Sequence, residues 1–118
     1  MQELTKVEEA IMQPLWELKQ AFVKDIMEHL PANPKPPYTT VSSVVRILVR
    51  KGYVGFKAYG KTYEYFPLVS RAQYRAEALK QLLAGYFDNS PGTLVSYLVE
   101  ELLNRKEIQQ LRKLLNEE

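Results

Sequence analysis

Residues 37–66, PYTTVSSVVRILVRKGYVGFKAYGKTYEYF, decide how the rest of the chain is read. Val41, Val44, Val45 and Leu48 recur at i, i+3, i+4 and i+7, which gathers them on one face of a helix. Ser42, Ser43, Arg46 and Arg50 fall on the opposite face. Thr39 or Thr40 is the expected N-cap, and the helix should run to Lys51 and stop at Gly52, a residue suited to the C′ position. Its many β-branched residues give it poor intrinsic helix propensity, so tertiary packing must hold it. A strand is expected over Tyr53–Lys57, a turn at Ala58–Gly60 and a second strand over Lys61–Phe66, with Gly60 supplying the positive φ of a hairpin turn. In the second strand Tyr63 and Tyr65 point one way, and Thr62, Glu64 and Phe66 the other. Lys57, Tyr59 and Lys61 collect near the tip. An ordinary solvated face mixes Glu with Lys; here no acid occurs before Glu64.

Upstream, Thr5 and Glu8 have the spacing of a capping box, opening a helix whose Val7, Ala10, Ile11, Leu15 and Leu18 share a stripe. Pro14 lies inside that pattern and should bend it. Trp16 is expected at the edge of the core. A connection over Lys19–Ala21 leads to a second helix over Phe22–Leu30, ended by Pro31, with His29 in its last turn as a surface or capping residue. Residues 31–37, PANPKPP, hold four prolines and form a rigid loop. A two-stranded hairpin is marginal alone and must lean on the three helices. The fold class that follows is mainly α with a small β-hairpin: a winged helix-turn-helix over residues 1–69.

Downstream, Ser70 with Gln73 and Asn104 with Glu107 form two more capping-box pairs. The first opens a helix to about Phe87, which DNSPG (88–92) breaks. Leu94, Val95, Leu98 and Leu102 put apolar groups over most of the next helix, and Ile108, Leu111 and Leu115 line the last. Residues 70–118 therefore make three helices with more leucine than they can hide unaided. Self-association is the usual remedy for so small a core, and a two-fold interface is the simplest closure. This second domain is expected to dimerise through those seven residues.

The 118-residue chain carries a net charge of +2, so charge distribution has to carry any argument about an anionic partner. Residues 1–69 hold nine Lys/Arg against seven acids, and residues 70–118 hold seven of each, so the excess base lies in the first domain. The absence of cysteine excludes disulfides and thiolate metal sites and fits a cytoplasmic location. One histidine cannot build a histidine metal cluster. No cofactor, metal or membrane segment is expected, since no apolar run approaches 18 residues. No nucleophile–base–orienter trio, carboxylate pair or phosphate-binding glycine loop argues for an enzyme.

The function expected is a dimeric DNA-binding transcriptional regulator, a repressor on a palindromic double-stranded operator. Helix 39–51 enters the major groove, with Arg46 reading guanine and Thr39, Thr40, Ser42 and Ser43 meeting base edges or phosphates. Arg50, Lys51, Lys57, Tyr59 and Lys61 serve the backbone. The rival reading is a winged helix that binds another protein instead of DNA.

Tyr38-Thr39-Thr40-Val41, then Arg46, Leu48 and Lys51-Gly52, then Gly60, Tyr63 and Tyr65 through Pro67, resemble the penicillinase-repressor family (BlaI/MecI/CopY type). The resemblance extends to Ala10-Ile11-Met12 through Leu15-Trp16 and to the tail from Thr93-Leu94-Val95 to Leu111-Arg112. It implies an operator-binding winged helix, a helical dimerisation domain and repression relieved by a signal. Three departures stand out. Ile47 occupies a place where the family often has a second arginine, and Phe22 one where a small capping residue is common. Relatives inactivated by proteolysis are cut at an Asn-Phe bond in the penultimate helix, where this chain has Tyr97-Leu98. Cleavage there is not supported, nor is the cysteine-based copper response of other relatives. The residues name neither the signal nor an upstream sensor or protease.

Overall fold

Helix α1 (Lys6–Leu18) begins where the Thr5–Glu8 pair places it. The Glu8 amide donates to Thr5 Oγ1 at 3.1 Å, and the Thr5 amide donates to Glu8 Oε1 at 2.8 Å. This and all that follows come from a computed structural model describing residues 2–116. Pro14 stays inside α1 with its ring buried. The helix stops at Lys19, whose φ of 71° leaves the helical region.

Helix α2 is Val23–His29, shorter at both ends than the expected 22–30. Phe22 is extended, with ψ 162°, and its amide donates to Asp25 Oδ2 at 2.9 Å. A phenyl ring cannot cap, so the carboxylate three residues on satisfies that donor instead. Leu30 is extended too, because the residue before a proline is pushed out of the α region. The Lys35 ammonium donates to the Leu30 carbonyl and caps the freed end.

Helix α3 spans Tyr38–Arg50, and the expected threonine cap is corrected: the N-cap is Pro37. Its φ of −61° and ψ of 152° suit the entry, and its carbonyl accepts from Thr40 at 3.1 Å and Val41 at 3.2 Å. Thr39 and Thr40 therefore lie within the first turn. Gly52 follows the end with φ 83°, as a C′ glycine should.

Strands β1 (Val54–Tyr59) and β2 (Thr62–Pro67) pair antiparallel from Val54↔Pro67 to Tyr59↔Thr62. The turn is Gly60–Lys61, a two-residue connection one step later than expected. Gly60, at φ 60°, takes the first central position, so Lys61 belongs to the turn and not to the strand. Ala21 adds a short third rung: it exchanges backbone hydrogen bonds of 2.9 and 2.8 Å with Tyr65. That rung anchors the hairpin to the link between α1 and α2.

The core joins Ile11, Met12 and Leu15 of α1, Ile26 of α2, and Val41, Val45 and Leu48 of α3, with Tyr53 just before the hairpin and Val54 and Tyr65 within it. Three helices closed by a hairpin are a winged helix-turn-helix. Burying a side chain such as Leu48 contributes on the order of 1.5–3 kcal/mol, which makes good the poor propensity of α3.

Helix α4 (Arg71–Tyr86) opens with the Ser70–Gln73 box, both bonds present at 2.8 and 3.1 Å. Its first turn locks onto α1: Trp16 Nε1 donates to the Val69 carbonyl at 2.9 Å, and the Tyr74 hydroxyl donates to Glu9. Trp16 is accordingly a packing residue at the edge of the core. Burial, aided by the Glu9 carboxylate, drives the Tyr74 phenol far above its usual pKa.

The chain forms two compact units, Met1–Tyr74 and Arg75–Glu118. In the second, Asp88 and Asn89 take φ of 53° and 56° to break the chain, and Ser90 caps α5 (Pro91–Tyr97). One π-helical turn, Leu98–Leu102, follows, closed by the Leu103 amide on the Leu98 carbonyl at 2.7 Å. The expected single helix over this stretch is thus α5 plus a wide final turn. Asn104 and Glu107 exchange their predicted bonds at 2.8 and 3.1 Å to open α6 (Arg105–Asn116). No residue from 75 to 116 is buried. Among the described residues, no helix is long and apolar enough to cross a membrane.

Candidate nucleic-acid interface

The face of α3 turned away from the core carries Thr39, Thr40, Ser43, Arg46 and Arg50, all exposed, with Ser42 and Ile47 half-buried among them. It arises because Val41, Val45 and Leu48 turn inward at helical spacing and leave the intervening residues outside. The hairpin stands beside it. Between the two runs a groove of about 610 Å³, lined by Ser43, Arg46, Ile47, Val49 and Arg50 of α3 and by Phe56, Tyr63 and Tyr65 of the wing. A second hollow of about 560 Å³ lies towards the start of α2 and α3. Arg46, Ser42, Tyr38, Lys24, Asp25 and the wing-tip Lys61 are among the residues that line it.

Arg46 borders both hollows and is the central cation of the surface. Neither it nor Arg50 has a carboxylate within ion-pair distance among the described residues. The guanidiniums are free to meet an external acceptor. Tyr65 reports the local field: burial raises its phenol pKa, while the positive charge of Arg46 pulls it down.

On the wing, the Lys57 ammonium sits 5.3 Å over the Tyr59 ring, and Tyr59 in turn packs 6.1 Å from Phe22. Tyr59 thus braces Lys57 against the start of α2. Lys61 projects from the turn. No Asp or Glu occurs between Glu28 and Glu64, so α3 and the wing tip form a surface with Asp25 at its margin and cations throughout.

Lys51 is placed elsewhere. Its ammonium lies 2.7 Å from Glu8 Oε1 and 3.3 Å from the Glu3 carbonyl, between the end of α3 and the start of α1. Burial on its own would raise the Glu8 carboxyl; the Lys51 bond and the Thr5 amide outweigh it and hold the group below its usual value. The lysine is engaged in holding the fold.

Ile47 and Val49 of α3 and Phe56, Tyr63 and Tyr65 of the wing line the main groove although none was expected in the site. For the three aromatic residues the signal was strand alternation: Phe56 pairs with Tyr65, so it shares the side on which Tyr63 and Tyr65 point. The three rings contact one another at 5.2–6.4 Å and make a continuous aromatic wall.

The seven apolar residues expected at a self-association surface all lie in the second unit, none of them buried. Leu94, Leu98, Ile108 and Leu111 are half-buried, Val95 is exposed, and Leu102 and Leu115 are 64% and 75% exposed.

The chain is 26% identical over 115 residues to the methicillin resistance regulatory protein MecI of Staphylococcus aureus strain N315, covering 97% of this chain and 94% of that protein. The MecI proteins of Staphylococcus epidermidis and Mammaliicoccus sciuri match to the same extent. A solved CopR repressor structure, 25% identical, aligns over 58% of this chain and all of its own with a TM-score of 0.48. A sequence profile of the penicillinase repressors matches residues 4–117. With that match running through both compact units, the chain belongs to the penicillinase repressor family of DNA-binding transcriptional regulators.

Proposed function

We propose that the protein is a homodimeric repressor that binds a roughly palindromic operator in the cytoplasm. The observation that carries this reading is the acid-free face of α3, whose arginines have no carboxylate partner among the described residues, set beside a basic wing. In this reading α3 enters the major groove and Arg46 bonds guanine O6 and N7. Thr40, Ser42 and Ser43 meet base edges or phosphates. Thr39 and the first-turn amides of α3 lie near a phosphate, where the helix dipole favours negative charge. Arg50, Lys57 and Lys61 neutralise phosphates, and Tyr59 supports Lys57. Lys51 is left out of the set, because it is committed to Glu8.

The leucine-rich second unit joins two such readers. One reader of this size would bind weakly; two held at a fixed separation gain specificity from two half-sites. MecI is by its name a regulator of methicillin resistance, and a repressor role for this chain rests on the shared family and on the interface described above.

The test is fluorescence anisotropy with the duplex upstream of the protein's own gene at three salt concentrations. Saturable binding that weakens steeply with salt is expected, since each neutralised phosphate releases counterions. Arg46→Ala should cost roughly 1–3 kcal/mol and relax specificity at one base pair per half-site. If no upstream fragment is bound in a saturable, salt-sensitive way, the surface serves a protein partner instead.

A further inference from the structure

Ile47 is anomalous on the outward face of α3. Its neighbours Val44 and Val49 pack against the core, whereas Ile47 lies outside that cluster and stays half-exposed in the main groove. A β-branched residue in the middle of a helix lowers helix propensity. Full burial in the core offsets that cost for Val41 and Val45, whereas Ile47 is only half-buried. Ile47 thus keeps part of its apolar surface open to the groove, outside the core cluster.

Its surroundings restrict what could cover that surface. Arg46 precedes it, Ser43 lies one turn before and Arg50 one turn after, so Ile47 is an apolar spot framed by cations and a hydroxyl. An apolar protein partner would leave two unpaired guanidiniums beside its contact. The major groove of DNA answers both needs at once: phosphates and guanine edges for the arginines, and one exposed apolar group, the thymine C5-methyl.

We infer that Ile47 is a specificity-determining residue that packs on a thymine methyl, at a base pair next to the one read by Arg46. The inference rests on the operator-binding reading and adds to it one required base per half-site.

The experiment uses the full-length protein and a randomised duplex pool. After selection of a bound sequence, each thymine is replaced singly by deoxyuridine, which removes the methyl and nothing else. One thymine per half-site is expected to weaken binding roughly fourfold when demethylated, the effect of one methyl-sized apolar contact. Ile47→Ala should bind the thymine and deoxyuridine duplexes equally, and Ile47→Val should keep most of the difference. The residue is half-buried and outside the core, so Ile47→Val should melt close to the wild type and Ile47→Ala modestly lower, and each variant's preference for thymine over deoxyuridine is read against itself. If no deoxyuridine replacement weakens the wild type, or Ile47→Ala retains the full penalty, the inference falls while operator binding stands. A pool from which the wild type selects nothing overturns both.

Discussion

Glu8 does two jobs with one carboxylate. It closes the capping box at the head of α1 and receives Lys51 from the end of α3, 43 residues away in sequence. Its pKa is lower folded than the ordinary value of 4.5, so its contribution is present above that value and disappears as pH falls through the lowered folded value. Glu8→Gln should therefore destabilise the protein near neutral pH, with the difference from wild type shrinking in melts as pH falls below 4.5. Lys51→Ala removes the partner of a carboxylate whose side chain is only 7% exposed, and should cost about 1–3 kcal/mol by urea denaturation. Because that ammonium is held by Glu8, the salt slope of DNA binding should stay as in wild type. Lys61→Ala should do the reverse, keeping stability and lowering the slope by about 1. An unchanged slope for Lys61→Ala with a reduced one for Lys51→Ala would reverse the two assignments.

At the scale of elements, the hairpin depends on a glycine that no turn requires. A Cβ on Gly55 would lie 2.7 Å from Phe66 Cε2 and 3.3 Å from Leu68 Cδ2. The Phe66 ring, cross-strand from Gly55, fills the space where a side chain would stand. Gly55→Ala should cost about 1–3 kcal/mol through overpacking. Adding Phe66→Ala should recover part of that loss, giving a non-additive cycle in thermal melts. Simple additivity would mean that the ring and the glycine act independently. The requirement was not legible beforehand, because register and the lean of a ring across it are set jointly by both strands. The turn shows the same limit: Gly60 is legible as its pivot, but whether it stands first or last in the loop depends on the pairing that Tyr59↔Thr62 closes.

At the scale of the whole molecule, the two compact units differ in how they hide their apolar groups. Met1–Tyr74 has a continuous core, whereas no described residue beyond Tyr74 is buried, and Tyr86, Leu102, Leu114 and Leu115 are 64–80% exposed. An exposed apolar surface of this extent calls for a partner. Analytical ultracentrifugation of the full chain should give a dimer, and residues 1–74 alone should sediment as a folded monomer. If the full chain is monomeric at micromolar concentration, the second unit joins something other than its own copy.

The local grammar of the chain was legible from residues alone. All three capping boxes formed where Thr5/Glu8, Ser70/Gln73 and Asn104/Glu107 placed them, because each needs only two side chains three residues apart. The order of helices and hairpin followed from periodicity, and the cationic face of α3 from the absence of acids over 29–63. Tertiary structure decided what each exposed group does. Lys51 and Arg46 read alike as cations of one helix, yet the fold brings Glu8 to the first and leaves the second open. Val44, on the apolar stripe, meets the core, whereas the role of Ile47, off that stripe, is set by the wing that the fold places beside it. Short-range caps depend on neighbours along the chain; a charge's partner or a methyl's burial depends on residues that only the folded chain brings near.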